Sequence, residues 1–181
     1  MIVIGVDPGT IVSGYGIVEV RDSSFYCISS GFISQPRSRS LPNRLRHIYG
    51  KLAGLIEQYS PDEMSIEDVF FSKNARSTLK LGEARGVSIL AAAAADIPVY
   101  EYSPTEVKSA VTGNGRATKT DVQKMISAML NIPEFEKSDT SDALAIAICH
   151  LNSIEIKKKY GFSIRKKSRA KKRFNLNDIP S

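Results

Sequence analysis

Short apolar runs separated by turn residues dominate the beginning of the chain. Residues 1–6, MIVIGV, form a continuous apolar run of the kind found in buried strands. Residues 12–20 and 24–34 also have strand character, and only short turns separate the three segments. The pattern predicts three strands joined as an antiparallel meander. Gly14 and Gly16, in the second segment, indicate a place where another part of the backbone approaches closely.

Helical spacing replaces the strand pattern after residue 40. Apolar residues recur every three or four positions from Leu41 to Ile56, with Pro42 in the first turn and Pro61 closing the segment. Residues 87–95 are apolar on every face of their helix, which indicates burial or contact with a partner subunit. The remaining pattern predicts strands over 64–71 and 98–102, helices over 74–95 and 118–130, a short helix begun by Ser103 and Pro104, and a last helix over 139–154.

The order of these elements favours an α/β fold. Strands that alternate with helices are typical of sheets with parallel strands. A strand–helix–strand connection is right-handed, which places the 64–71 strand beside the first strand and parallel to it. We therefore predict a five-stranded mixed sheet flanked by helices.

Composition limits the class of protein. A chain of 181 residues with 42% apolar residues fits one domain with a real core. Cys27 and Cys149 are typical of packed thiols in a reducing compartment, and His47 and His150 lack partners at zinc-ligand spacing. No run approaches the ~20 apolar residues that a membrane span needs, and the N-terminus lacks the features of a signal peptide. We expect a soluble, cytoplasmic protein without membrane contact.

The formal charge of +6 is distributed unevenly along the chain. Residues 157–181 hold ten lysines and arginines against one acid, a net charge of +9 that leaves −3 for residues 1–156. This division predicts a globular domain over 1–156 and a flexible basic tail over 157–181. Such a tail is typical either of a nucleic-acid-binding arm or of a solvated, disordered end.

Four carboxylates lie where predicted strands end or predicted helices begin. Asp7 follows the first strand, and Glu67 lies toward the carboxyl end of the 64–71 strand. Sites in open sheets form at the carboxyl ends of parallel strands, where neighbouring strands are about 4.8 Å apart. Asp139 and Asp142 are three positions apart and share one face at the start of the last helix. The small and apolar residues 143–148, ALAIAI, would let this helix pack closely on the sheet.

Most of these positions also have a purely structural explanation. Asp7 opens an Asp-Pro-Gly turn, and Ser138 or Asp139 could simply cap the last helix. Glu67 is harder to explain, because an unpaired carboxylate within a buried strand is costly without a metal or a base nearby. If the carboxylates converge, they form the ligand set of a two-metal phosphodiesterase. Mg²⁺ prefers oxygen ligands, and two ions about 3.5–4 Å apart assist in-line displacement at phosphorus.

Several motifs together resemble the RuvC family of bacterial Holliday-junction resolvases. They run in the family's order over about residues 1–155: IGVDPGT at 4–10, GYG at 14–16, IEDVF at 66–70, KN at 73–74, LGEARG at 81–86 and DTSDALA at 139–145. The resemblance implies a ribonuclease-H-like fold and a homodimer that nicks a four-way DNA junction symmetrically, leaving 5′-phosphate ends. It also implies cooperation with the RuvA–RuvB branch-migration complex. The apolar half of the 74–95 helix is then the expected dimer face.

The same resemblance assigns roles to individual residues. It gives catalysis and metal binding to Asp7, Glu67, Asp139 and Asp142, with two Mg²⁺ ions per subunit and Mn²⁺ as a substitute. Lys108 and Lys119 match basic residues near the scissile strand in the family, although a solvated helix face is their structural alternative. Arg76 and Lys80, one helical turn apart, could contact backbone phosphate, which fixes position rather than sequence. An aromatic at a strand end would work on junction bases, although a core role is the favoured structural alternative. These DNA contacts are Phe70, Arg76, Lys80, Lys108 and Lys119.

Two other functions compete with this one. Residues 4–10 with Gly14 also resemble the first phosphate loop of actin-like ATPases and sugar kinases, but that fold needs two such halves and this chain has room for one. A non-catalytic DNA-binding module that uses the tail would leave Glu67 unexplained. Two features depart from the RuvC pattern, namely the basic tail and Asp68, which stands beside Glu67 where the family has an amide.

Overall fold

The computed structural model describes residues 1–68, 75–133 and 138–159, without the side chains of residues 75–77 and 155–159. The strands in these ranges are Ile2–Asp7 (β1), Val12–Arg21 (β2), Ser24–Ser34 (β3), Glu63–Glu67 (β4) and Val99–Tyr102 (β5). The helices are Leu41–Tyr59 (α1), Ala75–Ala94 (α2), Pro104–Thr112 (α3), Lys119–Leu130 (α4) and Ser138–Lys159 (α5). This order is the one that the sequence pattern predicted.

The strands form one mixed sheet in the order β3-β2-β1-β4-β5. β1 pairs antiparallel with β2, and β2 pairs antiparallel with β3, which confirms the predicted meander. β4 pairs parallel with β1 and with β5, which confirms the predicted crossover. Because Val6 aligns with Ile66, β1 and β4 finish side by side. We call the end of the sheet where these parallel strands finish its carboxyl end.

Helices cover both faces of the sheet, and each face has its own core. On one face, Val3 and Val18 pack with α5 and with apolar residues of α3 and α4. On the other face, Ile4 and Ile17 pack with α1 and α2. Alternation along β1 explains this division, because successive side chains point to opposite faces. We call the face of the sheet that packs against α5 the α5 face.

Glycines on the α5 face let this helix approach the backbone of the sheet. A Cβ atom at Gly5 would lie 2.1 Å from the carbonyl oxygen of Ala143, and one at Gly14 would lie 2.0 Å from that of Asp139. At Gly16 it would meet a leucine side chain of α5 at 2.7 Å. Backbone atoms cannot rotate away, so larger residues at the first two positions would push α5 off the sheet. The close approach predicted at Gly14 and Gly16 is confirmed.

Two element boundaries differ from the sequence prediction. β4 ends at Glu67, and the predicted continuation over residues 69–71 lies outside the described part of the chain. The last helix continues to Lys159 rather than ending near residue 154, because residues 155–159, EIKKK, have good helix propensity. The predicted boundary between domain and tail at 156 therefore falls inside α5, and the tail itself stays a prediction.

Smaller expectations are confirmed. Ser103 caps α3, with Pro104 in the first turn, and its hydroxyl and the Glu106 carboxylate form a capping box. Cys27 and Cys149 are free thiols. Within the ranges that the structure describes, no helix combines the length and apolar character that crossing a membrane requires.

Candidate active site

The carboxyl end of the sheet brings Asp7 and Glu67 together. Asp7 is the last residue of β1 and Glu67 is the last residue of β4, directly after the aligned pair Val6 and Ile66. Alternation places both side chains on the α5 face, where Gly5 contacts the helix. Parallel strands are about 4.8 Å apart, so the two carboxylates share one region. The convergence predicted for this pair is present.

Helix α5 carries Asp139 and Asp142 to the same place. Gly14 pairs with Asp7 across β1 and β2, and its missing side chain leaves room for the backbone carbonyl of Asp139. Asp142, three residues further along α5, lines a cleft of about 230 Å³ together with Glu67. Close packing of α5 on glycine therefore places its first turn beside the ends of β1 and β4.

Burial and mutual repulsion raise the pKa values of Asp7, Glu67 and Asp142. Burial, followed by the negative charges of Glu67, Asp142 and Asp139, raises the pKa of Asp7 from 3.8 to about 7. Burial and the charge of Asp142 also raise the pKa of Glu67. Burial raises the pKa of Asp142, although Lys119 opposes that shift. Partly buried carboxylates that repel one another favour a nearby cation, which is the electrostatic pattern of many functional sites.

Two of the predicted DNA-contact residues supply positive charge at this cleft. Lys119 is the first residue of α4, and its Nζ donates a hydrogen bond to Oδ2 of Asp142 at 2.6 Å. Burial acts to lower the pKa of Lys119, but the hydrogen bond and charge of Asp142 leave it raised. Lys108 of α3 lines the same cleft. Both lysines therefore lie beside the acids rather than on a remote solvated surface.

The four carboxylates suit a hard divalent cation, but as described their side chains do not form a complete coordination site. Carboxylate oxygens are the ligands that Mg²⁺ prefers. Among the residues that the structure describes, no three acidic, histidine or cysteine side chains are positioned to hold one ion. Lys119 instead pairs with Asp142. Metal binding would require rotation of carboxylate side chains, whereas the backbones of β1, β4 and α5 already converge.

For the other three residues that were predicted to contact DNA, no described interaction links them to the cleft. Phe70 lies outside the described residues, as does the side chain of Arg76. Lys80 is exposed on α2. The roles of these three residues stay predictions.

Asp68, which departs from the RuvC pattern, has a counter-ion that the sequence did not reveal. Nη2 of Arg85, on α2, lies 2.5 Å from Oε2 of Glu101 and 3.9 Å from Oδ1 of Asp68. The guanidinium therefore offsets part of the charge that Asp68 adds next to Glu67. Nothing local in the sequence pointed to this pairing, because the acidic partners of Arg85 lie on β5 and directly after β4.

A buried histidine joins α5 to β4 and β5. His150 is 1% exposed, its Nε2 lies 2.6 Å from Oε2 of Glu63, and its Nδ1 lies 2.7 Å from the hydroxyl of Tyr102. Glu63 begins the strand that Glu67 ends, so this network fixes α5 against the strand that carries one of the acids. Nothing local in the sequence pointed to it, because the partners are 48 and 87 residues away.

The chain is similar to known proteins over most of its length. The family model described as crossover junction endodeoxyribonuclease RuvC matches residues 3–150. A relative of that name from Trichlorobacter lovleyi is 44% identical over 170 residues, which cover 94% of this chain and 96% of the relative. Another, from Shewanella pealeana, is 49% identical over 152 residues, which cover 84% of this chain and 87% of the relative.

Solved structures agree with the sequence relatives. The T. thermophilus RuvC in complex with a Holliday junction substrate matches with a TM-score of 0.82 and 30% identity, over 86% of this chain and 96% of that one. The yeast mitochondrial Holliday junction resolvase Ydc2 has the same fold, with a TM-score of 0.66 and 17% identity, over 88% of this chain and 83% of that one. The expected ribonuclease-H-like fold is confirmed. The chain belongs to the RuvC family of crossover junction endodeoxyribonucleases.

Proposed function

We propose that this chain is a structure-selective DNA endonuclease that resolves four-way junctions by paired, symmetric nicks. The observation that carries the proposal is the convergence of acids from β1, β4 and α5 in a member of the RuvC family. A relative of known structure was solved with a Holliday junction substrate. Membership of the RuvC family implies dependence on divalent metal ions. It also favours a nuclease over the alternative of an actin-like ATPase or sugar kinase. We further expect a cytoplasmic location and cooperation with the RuvA–RuvB complex.

The acids would act as ligands for two Mg²⁺ ions, with Mn²⁺ as a substitute. Bound ions of this kind activate water and stabilise the departing oxygen of an in-line displacement. The pKa of Asp7, raised to about 7, reflects a negative charge that burial and its acidic neighbours disfavour. A cation would remove that penalty. We assign this ligand role to Asp7, Glu67, Asp139 and Asp142.

Lys119 and Lys108 would face the DNA strand that is cut. Lys119 neutralises Asp142 while no other cation is near, through the 2.6 Å contact of its Nζ. If Asp142 were to hold a metal ion instead, the ammonium of Lys119 would be free to contact a phosphate oxygen. Lys108, which lines the same cleft, adds a second positive charge. The two lysines would thus draw the phosphodiester toward the acids.

One face of α2 is suited to a second copy of the chain. Leu79 and Leu90 are 69% and 57% exposed, and a Cβ atom at Gly82 or Gly86 would meet nothing within 4 Å. These residues follow one another at helical spacing and form one stripe, which we call the α2 stripe. The opposite side of α2 packs in the core with α1. A twofold dimer through this stripe would present two matched cleavage sites to a twofold junction.

A cleavage assay on a mobile four-way junction and on plain duplex of the same sequence tests the proposal. With Mg²⁺ we expect paired nicks with ligatable 5′-phosphate ends on the junction and none on the duplex. Chelation with EDTA should abolish cutting. Equal cutting of both substrates, or cutting in EDTA, would contradict the proposal.

A further inference from the structure

The face of α1 that points away from the sheet carries an open groove of about 670 Å³. Polar and basic residues line it, and no carboxylate is among them. We call it the α1 groove and define it by Arg39, Asn43, Arg46, His47, Gly50 and Lys51. It shares no residue with the cleft that holds the acids.

Helical spacing explains why these residues share a surface. Asn43, His47 and Gly50 lie three and four positions apart, whereas Ile48 and Leu52 on the other side of α1 are fully buried. The first turn is fixed by a buried glutamine before the helix, which donates to the Arg44 carbonyl at 2.9 Å. The groove therefore belongs to a helix that the core holds in place.

The positive charges of the groove have no acidic partner among the side chains that the structure describes. None of those carboxylates forms an ion pair with Arg39, Arg46 or Lys51. Arg39 makes one long contact, from Nη1 to a glutamine Oε1 at 3.4 Å. Guanidinium and ammonium groups gathered without acids favour a polyanionic ligand.

Gly50 leaves free space on the surface of α1 among these charged residues. A Cβ atom there would meet nothing within 4 Å, so the packing of the monomer does not require glycine. A glycine inside a helix costs about 1 kcal/mol relative to alanine. Its benefit is that another backbone can come close to the helix.

One end of the groove lies near the carboxyl end of the sheet. The backbone N–H of Gln35 donates to the carbonyl of Ile11 at 3.0 Å, which holds the segment before α1 against the loop that follows β1. Arg39 is in that segment, and Lys51 lies ten residues beyond Leu41, about 15 Å along the helix. The groove thus starts at the level of Asp7 and leads away from it on the face opposite α5.

We propose that the α1 groove binds the phosphate backbone of a duplex arm of the junction, away from the phosphate that is cut. This inference rests on the proposed function. DNA presents a dense array of negative charge, about one every 1.7 Å along its axis, which suits a groove lined by cations and free of acids. The groove lacks the large apolar or aromatic anchor on which protein partners usually depend. DNA backbone is therefore favoured over an acidic protein.

Salt-dependent binding of the full chain to a long-armed junction in EDTA tests the groove. Each phosphate contact contributes about 0.9 to the slope of log K against log salt concentration. We expect Arg46→Ala and Lys51→Ala to reduce the slope by about 1 each, and the double variant by about 2. On a junction whose arms end before the groove, the variants should bind like the wild type.

Arg21→Ala is the control for a positive charge outside the groove, because Arg21 ends β2 at the other end of the sheet, where it pairs with Glu19. We expect it to keep the wild-type slope. An unchanged slope in the double variant, or an equal loss in Arg21→Ala, would overturn the groove assignment. If the wild type cuts the junction but the double variant keeps the wild-type slope, the groove assignment is rejected and the proposed function stands. Failure of the wild type to bind or cut the junction would reject the proposed function itself.

Discussion

Asp7 is the residue where burial and charge conflict most clearly. Its pKa is about 7 in the folded chain against an ordinary value of 3.8, so the folded state binds this proton more tightly than the unfolded state does. A carboxylate with a raised pKa therefore lowers the stability of the metal-free protein as the pH rises from about 4 through 7. A bound cation would reverse this effect by favouring the ionised form.

Asp7→Asn should stabilise the metal-free protein at pH 8 by on the order of 1–3 kcal/mol, because it removes the penalised charge. The gain should shrink toward pH 4, where Asp7 is protonated in the folded state. Thermal unfolding of both proteins in EDTA across this pH range measures the difference. Parallel pH profiles for the two proteins would show that Asp7 carries no such penalty.

At the scale of elements, the close contact of α5 with β1 and β2 positions half of the acids. Gly14→Ala would place a Cβ atom 2.0 Å from the carbonyl oxygen of Asp139, and backbone cannot yield without moving the helix. We expect a loss of at least about 1–3 kcal/mol in the free energy of unfolding and a large loss of cleavage.

Gly54→Ala is the matched control for that variant, because a Cβ atom there meets nothing within 4 Å on α1. It should be neutral or stabilising by up to about 1 kcal/mol. Chemical denaturation and junction cleavage of both variants give the comparison. If Gly14→Ala behaves like Gly54→Ala, the close approach of α5 does not matter for the site.

Local patterns predicted the elements and half of the site. The strand-end positions of Asp7 and Glu67 follow from a buried apolar run and a right-handed crossover, which are properties of short segments. The Asp139 and Asp142 pair could not be told from a helix cap, because its placement depends on Gly14 from a distant part of the sequence. Long-range side-chain partners, such as those of His150, leave no periodic signal at all.

At the scale of the whole molecule, symmetric cutting needs two subunits. Leu79 and Leu90 of the α2 stripe are more than half exposed to solvent, although the other side of the same helix packs in the core. Leu90→Glu should convert a dimer into a monomer, because it buries a charge in the proposed interface. Analytical ultracentrifugation reports the change directly.

Met125→Glu on α4 is the control for the dimer, since Met125 is also an exposed apolar residue, at 39%, but lies outside the α2 stripe. It should leave the dimer intact. Junctions treated with the Leu90→Glu protein should carry single nicks rather than paired ones. A Leu90→Glu protein that stays dimeric would place the interface elsewhere.

The central claim is that four carboxylates at the carboxyl end of the sheet cut a DNA junction. Its most direct test is single-turnover cleavage of a four-way junction in Mg²⁺, with binding measured on the same samples. We predict that Asp7→Asn, Glu67→Gln, Asp139→Asn and Asp142→Asn each bind the junction but cut it on the order of 10³-fold more slowly or not at all. A variant that binds and cuts at the wild-type rate would contradict the account.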